Sequence, residues 1–113
     1  MALTLQDFKA RHASKRTVLG EVDIPTLGKV HLCKPSAADR DNVQQALIGN
    51  VGKDKEPMHY RARVVIGSAC DSEGKKLFTL EDEGWLSQLD YDLLEPIVNA
   101  VDKFAAEGKE KKG

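Results

Sequence analysis

The residues of this chain best suited to chemistry are His12, His31, His59, Cys33 and Cys70. No histidine has a Cys, His, Asp or Glu partner at metal-ligand spacing, and His31 falls on the polar side of an alternating run, so no zinc site is expected. Cys70 would need a nearby histidine to act as a nucleophile, whereas its sequence neighbours Asp71 and Glu73 raise a thiol pKa. Asp71-Ser-Glu73-Gly74 is superficially like a calcium loop. It lacks a third ligand before the glycine, and Asp82 stands where the terminal Glu belongs, so a turn is the better reading. No phosphate-cradling glycine loop, nucleophile elbow or dinucleotide fingerprint is present. These residues predict a chain without catalytic residues, cofactor or metal.

The elements around those residues form a clear local grammar. Val22 and Ile24 alternate with Glu21 and Asp23, Val30 and Leu32 alternate with Lys29 and His31, and Pro25-Thr-Leu-Gly28 lies between. This predicts a β-hairpin over about 21–33 with the four apolar residues on one face and opposed charges across the strands. A lone hairpin is marginal in water, so it should rest on helices. Ser36, with Asp39 three residues on, caps a first helix over 36–48 whose apolar stripe is Val43, Ala46 and Leu47. Gly49 to Glu56 reads as a loop, and Pro57 suits the start of a second helix over 58–69. Periodicity alone leaves Val64-Val65-Ile66 open to a buried strand as well.

Gly74 closes a turn, Leu77 and Phe78 follow, and Thr79 with Asp82 forms a capping-box pattern before a short helix over 80–89, with Trp85, Leu86 and Leu89 inward. Leu94, Ile97, Val98, Val101, Phe104 and Ala105 repeat at helical spacing and predict a last helix over 92–106. The fold class is therefore α+β and mostly helical, an N-terminal hairpin on about four helices. Residues 17–106 form one domain, 1–16 an N-terminal arm, and 107–113 a charged, disordered tail. Within the arm, Thr4 to Asp7 caps a short helix with Leu5 and Phe8 on one face, or the arm orders only on a partner.

The chain has 17 basic and 18 acidic residues, a net charge of −1, which supplies no long-range field for nucleic acid or anionic membrane. Lys9, Arg11, His12, Lys15 and Arg16 cluster, as do Lys109, Lys111 and Lys112, but no aromatics interleave with them to stack bases. No apolar run is long enough to span a membrane and the first residues do not read as a secretory signal. The two cysteines accordingly read as reduced thiols, with a single disulfide as the alternative. The last helix offers more apolar surface than one-sided docking needs. Ile97, Val101 and Phe104 are the candidate partner-binding residues, the alternative being that they complete an aromatic-poor core.

Three segments, in order, carry a family likeness: Val22-Asp-Ile-Pro-Thr-Leu-Gly-Lys-Val-His-Leu32, the helix opening at Pro35-Ser-Ala-Ala-Asp39-Arg, and Arg61 to Leu89 with its Cys-Asp71-Ser-Glu-Gly74-Lys-Lys-Leu-Phe78-Thr turn. Together they resemble the small tail assembly chaperones of long-tailed bacteriophages. The resemblance implies a non-enzymatic protein of the host bacterial cytoplasm, absent from the finished virion. It would bind the tape measure protein, keep it soluble until tail tube subunits polymerise around it, and self-associate. A structural virion component, such as a head–tail connector or tail-end subunit, is the competing reading. A nucleic-acid-binding regulator is a third, against which the charge balance argues.

Overall fold

Strand alternation, capping and turn chemistry set the local structure of this chain, and one buried seam joins the pieces. The computed structural model describes residue 2 and residues 4–10, 16–48 and 58–112, with side chains of the last helix described to Ala105. The elements are α1 (Leu5–Ala10), β1 (Val18–Ile24), β2 (Gly28–Cys33), α2 (Ala37–Leu47), α3 (Tyr60–Ser68), β3 (Ala69–Cys70), a 3-10 turn (Leu80–Asp82), α4 (Glu83–Leu86) and α5 (Tyr91–Lys112). The architecture is the expected α+β arrangement, an N-terminal sheet on helices. The predicted 49–56 loop, the Pro57 helix start and three members of the first basic cluster (Arg11, His12 and Lys15) lie outside the described residues.

The hairpin pairs Val22 with Val30, Glu21 with His31 and Asp23 with Lys29, as alternation requires. His31 Nε2 lies 3.1 Å and Lys29 Nζ 3.8 Å from the Glu21 carboxylate. The turn bends through positive φ at Thr26 (68°) and Gly28 (115°). β1 begins earlier than expected, at Val18, with an irregularity between Val18 and Gly20.

A third strand was not expected. α3 ends when Ala69 turns extended, and Ala69-Cys70 then pairs antiparallel with His31 and Leu32, giving the order β1-β2-β3. Apolar patterning predicted helix to residue 69. The free hydrogen-bonding edge of β2 captures the last of these residues, Ala69, together with Cys70, because a sheet edge needs backbone partners. The next turn returns the chain beside β3. Asp71 Oδ1 accepts from the N–H groups of Glu73 (2.8 Å) and Lys75 (3.0 Å), Gly74 takes φ 88°, and Lys76 bridges to Cys70.

The main core joins Ile24, Leu32, Val65, Ala69, Leu94 and Ile97, so the sheet, α3 and α5 share one seam. A smaller cluster of Ala62, Ile66 and Leu86 seats α4, and Phe78 packs against both. Here the expected 80–89 helix is corrected. It is a 3-10 turn followed by one turn of α-helix, and of the three residues expected inward only Leu86 is buried. Trp85 (50% exposed) and Leu89 (38% exposed) face outward; Trp85 instead stacks edge-on against Phe78 at 5.9 Å and donates its indole N–H to Asp82 at 2.9 Å. The Thr79–Asp82 capping box does form. α5 carries Pro96 inside it and continues to Lys112, so the stretch from Glu107 expected to be disordered has a helical backbone to that point.

Gly74 gives the sharpest test of this framework. A Cβ there would strike the Arg16 carbonyl oxygen, at a φ that side chains resist. Gly74→Ala should lower unfolding free energy by about 2 kcal/mol or more in urea titration, whereas Gly84→Ala, in α4 where the space is open, should leave it unchanged or raise it by up to about 1 kcal/mol.

Candidate functional site

The site begins with how α2 is held. An ordinary surface helix presses an apolar stripe into the core, yet the only buried residue of α2 is Asp39. Its carboxylate closes the Ser36 capping box: Ser36 N–H donates to Asp39 Oδ2 at 2.9 Å, and Asp39 N–H donates to Ser36 Oγ at 3.1 Å. The same carboxylate accepts from Lys76 Nζ at 2.6 Å and lies 3.9 Å from Arg16 Nη2. Asp39 also rests on Gly67 of α3, where a Cβ would come within 3.0 Å of the aspartate Cβ. Burial pushes the Asp39 carboxyl up. The Lys76 and Ser36 hydrogen bonds and the Lys76 charge outweigh it and hold the group below the usual carboxylate range.

A second polar clamp holds the other end of α2. Arg63 of α3 forks onto Glu83 at 2.7 and 3.2 Å and reaches the Asn42 carbonyl at 2.9 Å and Gln45 at 3.3 Å. Glu83 also accepts the His59 N–H at 2.9 Å. Burial raises the Glu83 pKa, but the Arg63 and His59 contacts outweigh it and leave the group lowered.

With α2 fixed at both ends by polar groups, its apolar residues remain available. Leu47 is 64% exposed, and Val43 and Ala46 are half-buried, so the expected apolar stripe is only partly covered. α2 and α5 each pack on α3, and a groove runs between them. Its floor is Val64, Gly67 and Ser68 of α3; its walls are Val43 and Leu47 on one side and Val101 and Ala105 on the other, enclosing about 210 Å³. Past Pro35 and Arg40 it opens into a larger hollow of about 570 Å³, where Leu19 and Thr17 face Val101 and Phe104. Tyr60 and Asp102 supply polar groups at the rim. Burial, then the Asp102 charge, pushes the Tyr60 phenol up, so it is a neutral hydroxyl at neutral pH.

The three candidate partner-binding residues separate here. Ile97 is 5% exposed and belongs to the core, so its expected contact with a partner is corrected to a packing role. Val101 lines both sections of the groove, and Phe104 lines the larger one while covering Gly20 of β1. Val43, Leu47 and Leu19 join them. The spacing of Val43 and Leu47 marks them as one apolar stripe, and only the polar clamps show that this stripe lines a groove.

The thiols hold no comparable site. Cys33 and Cys70 are buried and unbridged; burial raises Cys33 and pushes Cys70 up to about 12, with the neighbouring Cys33 adding to it. Among the described residues no cluster of three or more His, Cys, Asp or Glu side chains could hold a metal ion, and no helix is long and apolar enough to cross a membrane. No protein-family model, curated protein or solved structure matches the chain.

The clamps make a pH prediction. Because the folded-state pKa values of Asp39 and Glu83 are lowered, their stabilisation is complete above the unfolded carboxylate range near pH 4 and is lost as pH falls through the lower folded values. Wild-type stability should be flat from about pH 7 to 5 and drop below about 4. Asp39→Ala should cost about 2–4 kcal/mol at neutral pH, since it strands Lys76 and uncaps α2, and should flatten the acid limb in urea titrations across pH.

Proposed function

We propose that this protein is a non-enzymatic tail assembly chaperone of a long-tailed bacteriophage, which binds the tape measure protein and keeps it soluble while the tail is built. The observation that carries the reading is the open apolar groove between α2 and α5, joined to the family likeness of the hairpin, the Pro35–Arg40 helix start and the Asp71–Thr79 turn. A tape measure protein is long and helix-rich, and an amphipathic helix is the ligand that a groove between two helices suits. Val43, Leu47, Val101 and Phe104 would take the apolar face of the client, with Arg40, Gln44 and Asp102 as a polar rim that keeps the empty groove wetted.

Client release also fits this geometry. The groove is open along part of its length, with Leu47 of its wall 64% exposed. A helix held there remains open to displacement by polymerising tail tube subunits, as the reading requires. The site of action would be the host cytoplasm, before the virion is complete.

Co-expression with the tape measure protein of the same genome tests this directly. Wild type should keep the client in the soluble fraction and co-purify with it. Leu47→Glu, at an exposed position that leaves the fold intact, should weaken binding at least about tenfold. Recovery of connector or tube subunits without the tape measure protein, or presence of the chain in purified virions, would favour the structural virion component instead.

A further inference from the structure

The groove has a counterpart on the same chain. α1 is a capped helix: the Thr4 N–H donates to Asp7 Oδ2 at 2.8 Å, and the Asp7 N–H donates back to Thr4 Oγ1 at 3.3 Å. Leu5 (68% exposed) and Phe8 (66% exposed), three residues apart, share a face, and no residue of α1 is buried. Six residues are far below the roughly 12–15 at which an isolated helix holds in water, so this apolar face needs a seat.

The arm that carries α1 is anchored beside the groove. Arg16 N–H donates to the Gly74 carbonyl at 2.9 Å, Lys34 N–H donates to the Thr17 carbonyl at 2.9 Å, and Arg16 reaches Asp39. Thr17 lines the larger hollow and Asp39 the smaller section, so the arm leaves the domain at the groove's edge. The segment from Ala10 to Arg16 spans at most about 20 Å when extended. Charge matches as well. Lys9, at i+4 from Leu5, flanks the apolar pair, and Asp102 on the groove wall has no ion pair among the described residues.

We propose that two copies of this chain exchange α1, each placing Leu5 and Phe8 in the α2–α5 groove of the other, with Lys9 against Asp102. Within one chain α1 stands clear of the groove although its arm leaves from the groove's edge, so the cover comes from the second copy. The exchange is reciprocal and closes at a two-fold dimer. It uses the groove assigned above to the client but does not depend on the client's identity.

Sedimentation equilibrium of the full chain tests the exchange. Wild type should run at the mass of two chains. Leu5→Asp/Phe8→Asp should run at one while keeping the wild-type far-UV circular dichroism, because both side chains are exposed within a single chain. Leu47→Glu should also run as a monomer. An equimolar mixture of these two variants should recover a dimer, since an intact α1 then meets an intact groove. A wild-type monomer, a dimeric α1 variant, or a mixture that stays monomeric would each overturn the proposal. The two proposals fail separately: the α1 variant should still keep the client soluble, and loss of client binding with the dimer intact would sink only the chaperone reading.

Discussion

The structure depends on one buried carboxylate. Asp39 caps its own helix, sits against Gly67 of α3, accepts from Lys76 beside β3 and lies near Arg16 at the root of the N-terminal arm. Four parts of the chain thus meet at a single side chain that is 8% exposed. A charge so placed is tolerable only because cationic and backbone partners surround it; stripped of them, it would be among the most destabilising groups in the protein. Gly67 is part of the same solution, since a Cβ there would press on the Asp39 side chain at 3.0 Å.

That choice of anchor explains the groove. Two modes of packing coexist in this small domain. The sheet, α3 and α5 are joined by apolar burial through Leu32, Val65, Ala69 and Ile97. α2 is held instead at its two ends, by Asp39 and by the Arg63 fork onto Glu83, Asn42 and Gln45. Polar clamps fix position without consuming apolar area, so Val43 stays half-buried and Leu47 exposed. An aromatic-poor chain that needed every apolar residue for its core would have no such surface to offer.

Much of this was legible in residue order. The hairpin, its register and cross-strand charges followed from alternation, and both capping boxes followed from Ser36–Asp39 and Thr79–Asp82. What failed did so for tertiary reasons. Ala69 left the helical pattern, and paired with Cys70 along β2, because β2 had an edge to fill. Trp85 and Leu89 faced outward because α4 is a single turn seated by Leu86 alone. Ile97 and Val101 occupy the same apolar stripe, and their spacing cannot say which of them the sheet covers.

Local signals along the chain determined where strands turn, where helices start and which faces are apolar, because those properties depend on neighbours a few residues away. Tertiary structure alone decided which apolar faces were spent on the core. Asp39 meets Lys76 across 37 residues and Arg63 meets Glu83 across 20, and no local pattern encodes such pairs. The first pair, together with the Arg63 hydrogen bonds to Asn42 and Gln45, holds α2 in place, and the groove lies along the apolar stripe of Val43 and Leu47.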